Sequence, residues 1–346
     1  MLGLGALTTG VIATVDERGT VRRSDAALSW RVRAGDRWID AVTDPSVRSA
    51  RLGPAPIGET AVRVPGGDVL ARAYALSDDG GIVVVEVENA SPEAVAVAFA
   101  LTGADVERAL AMPRRPGAVE PDGAVVFPVP HRVMVRVALA PPSCDVRTLP
   151  DWASVQRGWE RVLDRGMRTE LPEPVQTEID AARADVLLAS PSAAAFVALE
   201  AWGFDEEAVS MWDHLTMRAR RAARKRRGLE PLLLNDMRNA LIRDYDDDID
   251  ILPGFRSEWL GQHLAVHDAP LWRGACSFAL RWHGARPALL WDAPPDCRVK
   301  APVLDATWSS REQAGETLLA EPSGALLAMG TRATEGASVD APESFS

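Results

Sequence analysis

The stretch Ile82-Val-Val-Val-Glu-Val-Glu88, followed by Asn89-Ala-Ser-Pro92 and Val95-Ala-Val-Ala-Phe-Ala-Leu101, decides the fold of the first part of the chain. Its apolar residues recur at every second position, which is the period of a β-strand with one buried face. The interruption between the two runs contains Asn, Ser and Pro, which are typical of turns. We therefore predict a hairpin, and we interpret Asn89-Ala-Ser as a turn rather than a glycosylation acceptor.

The same alternation recurs on both sides of this stretch. It is present at residues 28–33, before a Gly35-Asp36 turn, and again at residues 132–139. Residues 1–16 lack the basic start and long apolar core of a signal peptide, so we expect them to form the first strand. Because each sheet needs a second layer to cover its apolar face, residues 1–148 are predicted to form an antiparallel β-sandwich.

A block of amphipathic helices is expected at residues 149–250. Asp151 can cap a first helix, and apolar residues at the spacing of one helical face continue from there. Asp205 can cap another helix directly after Trp202-Gly203, and so short a connection predicts an antiparallel αα-hairpin. About five helices are expected in this block.

Strands are expected to return at residues 251–330. Cys276, Phe278, Leu280 and Trp282 alternate with Ser277, Ala279 and Arg281, and a His283-Gly284-Ala285 turn predicts a hairpin there. Residues 331–346 are small, polar and acidic, which predicts a disordered tail. The fold class is therefore expected to be α+β, with an antiparallel sandwich, a central helical block and a C-terminal antiparallel β region.

Three segments carry a resemblance to a known family: Leu171-Pro-Glu-Pro-Val175, Leu252-Pro-Gly-Phe-Arg-Ser-Glu-Trp-Leu260 and Gly274-Ala-Cys-Ser-Phe-Ala-Leu-Arg-Trp282. Together with the order of strands, helices and strands, they resemble parts of the glucoamylase-like six-hairpin glycosidases. The resemblance implies an N-terminal β-sandwich leading into a toroid of paired helices.

The helical block is much shorter than the family's toroid of about a dozen helices. Glycosidases hold two carboxyl groups on opposite sides of the sugar bond, which requires a rigid cleft. Five helices provide too little scaffold for such a cleft, so no catalytic residue is carried over to this sequence. The resemblance therefore implies a non-catalytic relative, a pseudoenzyme.

The net charge, the lengths of the apolar runs and the cysteines argue against several classes of function. The net charge of −11 disfavours nucleic-acid binding, because it repels phosphate backbones. No stretch approaches the roughly 20 apolar residues that span a bilayer, so no membrane association is expected. Cys144, Cys276 and Cys297 are too few and too far apart for a disulfide framework or a structural zinc site. We expect a cytoplasmic protein without cofactors or metals.

Two acidic clusters have alternative interpretations. Glu200, Asp205, Glu206 and Asp213 lie around the helical turn, where a carboxylate pair or simple capping and solvation both fit, and we favour capping. Asp244, Asp246, Asp248 and Asp250 alternate as in a calcium loop. The glycine at the sixth position and the glutamate at the twelfth are missing, so we do not predict a calcium site.

The histidine pair His263 and His267 and the basic residues 218–227 also have alternative interpretations. His263 and His267 share a face in a strand or a helix, but no third ligand accompanies them, so no metal site is predicted. Residues 218–227 contain seven basic side chains, which fit either a surface for RNA or an acidic partner or the solvated end of a helix. We favour the helix end.

The chain has eleven tryptophans but only two tyrosines. Indole rings stack on sugars, so Trp259, Trp272, Trp291 and Trp308 are the candidate carbohydrate-binding residues, although core packing is the interpretation that we favour for most tryptophans of this region.

Three functional hypotheses follow. The first is a non-catalytic relative of six-hairpin glycosidases that binds a carbohydrate or a partner protein. The second is a glycoside hydrolase that uses two carboxylates in a cleft completed by oligomerisation. The third is a structural or interaction subunit whose apolar helical faces dock onto another chain or a second copy.

Overall fold

The computed structural model describes residues 1–103, 109–113, 117–141 and 143–322. The expected disordered tail, residues 331–346, lies outside the described residues. Contacts divide the chain into two compact units, Met1–Leu163 with Asp180–Ser190, and Asp164–Ile179 with Pro191–Ser346. The domain boundaries expected at residues 148, 250 and 330 stay predictions. The α+β class is confirmed, with antiparallel sheets toward both ends of the sequence and helices between them.

Two antiparallel sheets build the first unit. The strands of the first sheet are β1 Leu2–Ala6, β2 Gly10–Val15, β3 Val21–Arg23, β4 Ala26–Ala34, β5 Arg37–Asp40, β10 Val95–Thr102, β12 Ala118–Val119 and β13 Val125–Val129. The strands of the second sheet are β6 Arg48–Arg51, β7 Gly58–Val64, β8 Gly67–Leu76, β9 Ile82–Asn89, β11 Leu110–Ala111 and β14 Met134–Leu139. Their orders are β1-β2-β3-β4-β10-β13-β12, with β5 on β4, and β11-β14-β9-β8-β7-β6.

Alternate side chains of the two sheets form one apolar core. Val83, Val85 and Val87 of β9 belong to the same buried cluster as Val97 and Phe99 of β10. Burying such alternating faces against each other is the main favourable contribution to folding a sandwich. The predicted antiparallel β-sandwich is confirmed.

The predicted hairpin between β9 and β10 is wrong. β9 pairs with β8 and β14, whereas β10 pairs with β4 and β13, so the connection crosses from one sheet to the other. Asn89 is fully buried at this corner, where its amide nitrogen donates to the carbonyl oxygens of Glu93 and Val129. The interpretation of Asn89-Ala-Ser as a turn fits this geometry, since the side chain is already used to hold the crossing.

Six helices are described: α1 Trp152–Leu163, α2 Val175–Leu187, α3 Ala193–Ala201, α4 Asp205–His214, α5 Met217–Lys225 and α6 Leu233–Leu241. Asp151 caps α1 as predicted, with Oδ1 2.8 Å from the amide nitrogen of Ser154. The αα-hairpin of α3 and α4 is also confirmed. α5 was not predicted as a separate helix. Thr216 starts it by accepting a hydrogen bond from the amide of Ala219.

Two further sheets belong to the second unit. One has the order β15-β18-β19-β20-β23, with strands β15 Arg168–Glu170, β18 Leu264–Leu271, β19 Gly274–His283, β20 Arg286–Asp292 and β23 Ala314–Leu318. The other has the order β16-β17-β21-β22, with strands β16 Ile242–Tyr245, β17 Asp248–Ile251, β21 Arg298–Ala301 and β22 Asp305–Ser310. The predicted β19–β20 hairpin is confirmed, and β17 pairs with β21 in parallel.

Helix α3 packs against strand β18, so the helical block covers part of the first of these sheets. Among the described residues, no helix combines the length and the apolar character that crossing a bilayer would require.

Candidate functional site

The four tryptophans predicted to bind sugars occupy different environments. Trp259 is fully buried and packs against Phe255 with ring centroids 5.9 Å apart, so its indole offers no face to a ligand. Trp291 is buried and contacts the half-buried ring of Trp308 edge to face. Trp272 is 90% exposed. Only Trp272 therefore presents a whole indole to solvent.

Trp272 lies at the tip of the β18–β19 hairpin. Leu271 and Gly274 are paired across the two strands, so Trp272 and Arg273 form the connecting turn. The amide nitrogen of Trp272 donates to Oδ2 of Asp244, 2.9 Å away, and the guanidinium of Arg273 pairs with Asp247. Both aspartates belong to the β16–β17 hairpin, so two hairpin tips are joined beside the exposed indole.

Tyr245 follows Asp244 and is 54% exposed. Trp272 and Tyr245 are the two strongly exposed aromatic residues of the described chain. We define the hairpin platform as Trp272, Arg273, Asp244, Tyr245 and Asp247. It combines aromatic surface with carboxylate and guanidinium groups.

The buried side chain of Arg238 contacts the segments that carry the platform. Arg238 of α6 donates to the carbonyl oxygen of Pro270 at 2.8 Å and to that of Ile242, and it lies 4.0 Å from Asp244. Burial lowers the pKa of Arg238 from its ordinary value, and the nearby Asp244 carboxylate opposes this effect. The guanidinium of Arg238 thus links α6 to β16 and β18 by hydrogen bonds, close to the tip of the β18–β19 hairpin.

The alternating aspartates at residues 244–250, which were compared with a calcium loop, lie on the hairpin formed by β16 and β17. Asp244 belongs to β16, Asp246 has a left-handed φ of 50° at the turn, and Asp248 belongs to β17. Asp248 accepts two hydrogen bonds of 2.8 Å from Arg298 and a further one from Lys300. These two cations of β21 hold the pKa of Asp248 well below its usual range, with the Arg298 hydrogen bonds as the largest cause. Asp248 therefore joins β17 to β21 through side-chain hydrogen bonds.

His263 and His267 meet at one carboxylate, which was not predicted. Nε2 of His263 lies 3.3 Å from Glu170 Oε2, and Nε2 of His267 lies 3.0 Å from Glu170 Oε1. The hydrogen bond of His267 is the largest cause that lowers the pKa of Glu170. Within the described residues, no group of three or more His, Cys, Asp or Glu side chains is placed to hold a metal ion.

The carboxylates around the helical turn are engaged by arginines. Glu200 pairs with Arg226 at 2.8 Å, and Glu206 pairs with Arg165 at 3.2 Å. Asp205 lies in the first turn of α4, where the helix dipole favours a negative charge. Asp205 is the first residue of α4 and Phe204 is its N-cap, without a side-chain cap hydrogen bond, so the predicted cap at Asp205 is wrong. Glu200 and Glu206 are exposed, ion-paired carboxylates, which fits the solvated interpretation.

The residues that sequence reasoning missed are Arg238, Tyr245, Asp247 and Arg273. A signal for part of the platform was present, because Trp272-Arg273-Gly274 separates two strand-like runs and so marks a turn. The positions of the supporting groups depend on tertiary contacts between segments about 30 residues apart. Compared with known proteins, the chain matches no family model, and no curated protein matches it either.

Proposed function

We propose that this protein is a non-catalytic relative of the six-hairpin glycosidases that binds a carbohydrate at the hairpin platform. The observation that carries this proposal is the 90% exposure of Trp272 at a tip held by hydrogen bonds. Burying a large aromatic side chain is worth about 3 kcal/mol, so a ligand that covers the indole of Trp272 can gain part of this energy on binding.

The platform has the chemistry that a sugar ring requires. The apolar face of a pyranose can stack on the indole of Trp272, while hydroxyl groups at the ring edge can bond to charged neighbours. Asp244 and Asp247 offer carboxylate oxygens as acceptors, and Arg273 offers guanidinium donors. Tyr245 adds a second exposed aromatic side chain for an adjoining sugar unit.

The support under the platform favours binding. The amide of Trp272 is fixed to Asp244, and the buried Arg238 fixes Pro270, two residues before Trp272. A binding group that is already ordered loses less conformational entropy when the ligand arrives. A rigid tip is therefore suited to weak ligands such as oligosaccharides.

The acidic groups support a binding role rather than hydrolysis. A glycosidase needs a carboxylic acid with a raised pKa as proton donor. Among the described residues, the carboxyl groups with clearly shifted pKa values are all shifted downward: Asp25, Asp44, Asp122, Asp145, Asp151, Glu170, Asp248 and Asp305. Such groups stay ionised at neutral pH and are poor general acids.

A glycan array probed with the labelled full-length protein tests the proposal. We expect one or a few glycans to bind, and isothermal titration with those glycans should show at least a tenfold loss of affinity for Trp272→Ala. Trp272→Phe should keep part of the affinity, because a smaller aromatic face remains. Val209→Ala is the matched control, since Val209 is 67% exposed on α4 and lies outside the platform.

Thermal unfolding of each variant checks that the fold is intact. If no glycan binds the wild type, or if Trp272→Ala binds as tightly as the wild type, the platform is not a carbohydrate site. Release of reducing sugar from a bound glycan, abolished by a single carboxylate substitution, would instead establish the hydrolase hypothesis.

A further inference from the structure

Helix α5 and the two residues after it carry a dense positive charge. We define residues 217–227 as the cationic helix. Its seven basic side chains are Arg218, Arg220, Arg221, Arg224, Lys225, Arg226 and Arg227. The net charge of −11 includes these seven charges, so the rest of the chain carries −18.

The apolar side of the cationic helix faces the protein. Ala223 is buried and Ala219 and Ala222 are partly buried, and α5 packs against α3. Arg218 and Arg221 are exposed on the other side. The helix therefore displays most of its charge to solvent.

Three of the cations have partners within the protein. Arg220 and Arg224 lie over the ring of Trp212, at 5.3 and 5.2 Å from its centroid, and Arg226 pairs with Glu200 at 2.8 Å. These contacts fix the orientation of the helix. They leave four cations, Arg218, Arg221, Lys225 and Arg227, with no carboxylate at ion-pair distance among the described residues.

The helix dipole does not account for this pattern. It favours cations only in the last turn, which here holds Arg224 and Lys225. Arg218 is in the first turn of the helix, where the dipole disfavours positive charge, and Arg221 is at its centre, where the dipole gives no stabilisation. Like charges three or four residues apart, such as Arg221 with Arg218 and with Lys225, also repel each other. An external anion would remove both penalties.

We propose that the exposed side of the cationic helix binds a short acidic peptide segment of a partner protein. Arginine predominates among the seven cations, and its planar guanidinium pairs with carboxylates through two parallel hydrogen bonds. A helix of nine residues is about 14 Å long, which matches roughly four residues of an extended peptide.

The size of the patch favours such a segment over a nucleic acid. Charges attract over about 8 Å at physiological ionic strength. A long polyanion would extend beyond this patch and meet a chain that is otherwise strongly negative, whereas a short acidic segment can remain on the patch. This inference does not depend on the carbohydrate site.

Fluorescence anisotropy with a fluorescein-labelled hexaglutamate peptide tests the inference, with hexaglutamine as the uncharged control peptide. We expect saturable binding of hexaglutamate that weakens as salt is raised and no binding of hexaglutamine. The double variant Arg218→Gln, Arg221→Gln should bind at least tenfold more weakly, because glutamine keeps the helix but removes two unpaired charges.

Arg281→Gln, Arg311→Gln is the control for total charge, because both side chains are exposed and outside the cationic helix. It should bind within about twofold of the wild type. Circular dichroism of both double variants checks folding. The inference is overturned if hexaglutamate does not bind, if both double variants lose binding equally, or if a 20-base-pair RNA duplex binds more tightly than the peptide.

Discussion

The hydroxyl oxygen of Tyr74 lies 2.5 Å from Oε1 of Glu86 inside the N-terminal unit. Both residues are fully buried, and Glu86 also pairs with Arg136 at 2.6 Å. The same hydroxyl is 2.8 Å from the carbonyl oxygen of Pro150. Burial, together with the Glu86 carboxylate, raises the pKa of Tyr74 well above its usual range. The hydroxyl therefore stays protonated and can donate to the buried carboxylate.

Tyr74→Phe is expected to lower the free energy of unfolding by about 1 to 3 kcal/mol, because the buried Glu86 carboxylate loses one of its two donors and keeps only Arg136. Urea denaturation followed by circular dichroism measures this. The chain contains only one other tyrosine, Tyr245, which is 54% exposed. Tyr245→Phe should therefore change the free energy by less than about 0.5 kcal/mol. Equal effects of the two substitutions would show that the buried hydrogen bond does not stabilise the fold.

Two glycines are expected to respond in opposite directions to alanine. A Cβ at Gly315 would lie 2.6 Å from Cζ2 of Trp291, so Gly315→Ala should destabilise the protein by about 1 to 3 kcal/mol. Gly158 lies within α1 with no atom near its Cβ position, so Gly158→Ala should stabilise by about 0.5 to 1 kcal/mol. Thermal unfolding measures both effects. Melting temperatures of Gly315→Ala and Gly158→Ala that change in the same direction relative to the wild type would contradict the prediction.

Asp248→Asn is expected to destabilise the protein by about 1 kcal/mol at pH 7, since it weakens the bonds to Arg298 and Lys300. The pKa of Asp248 is lowered in the folded protein, so its stabilising contribution is complete well above the unfolded value of 3.8. The contribution is lost as the pH falls below that value. The difference between wild type and variant should therefore shrink below pH 3.8 in urea titrations. A difference that is constant with pH would rule out this origin.

The three cysteines are expected to differ in reactivity. Cys276 and Cys297 are buried, whereas Cys144 is partly exposed. Burial raises the pKa of Cys276 to about 12 and also raises that of Cys297. Because the thiolate is the reactive form, Ellman's reagent should modify one thiol quickly in the native protein and all three in denaturant. Fast modification of Cys144→Ser would contradict this expectation.

Local periodicity predicted the sandwich and several of its strands, because the alternating apolar residues at 83–87 and 95–101 enter the shared core. It did not predict that the opposite face of β9 is buried too, where Val84 and Glu86 are fully buried. It did not predict the crossing at Asn89, since a period of two does not specify which sheet a strand joins. The β19–β20 hairpin was predicted correctly because its turn contains Gly284, at a left-handed φ of 64°. The helix at Met217–Lys225 was missed, although Thr216 is a typical capping residue.

The candidate site was predicted in part. Trp272 was among four proposed tryptophans, but sequence alone did not distinguish it from Trp259, since both lie near apolar and charged neighbours. The exposure of Trp272 depends on how far the paired ends of β18 and β19 extend beyond the rest of their sheet, which the sequence of the hairpin alone does not specify. The roles of Arg238 and Asp244 depend on contacts with residues far along the chain, which local patterns do not encode.

The parallel pairing of β17 with β21 determines how this polypeptide can be divided. Asp248 and Arg298 are adjacent in space although fifty positions separate them, and they are held by the two bonds of 2.8 Å described above. A gene fragment starting after Ile251 would encode β21 without its neighbour, leaving an open edge that invites aggregation. A C-terminal fragment made for complementation should therefore begin upstream of Ile242. It then contains the β16–β17 hairpin together with β21, the strand that pairs with β17.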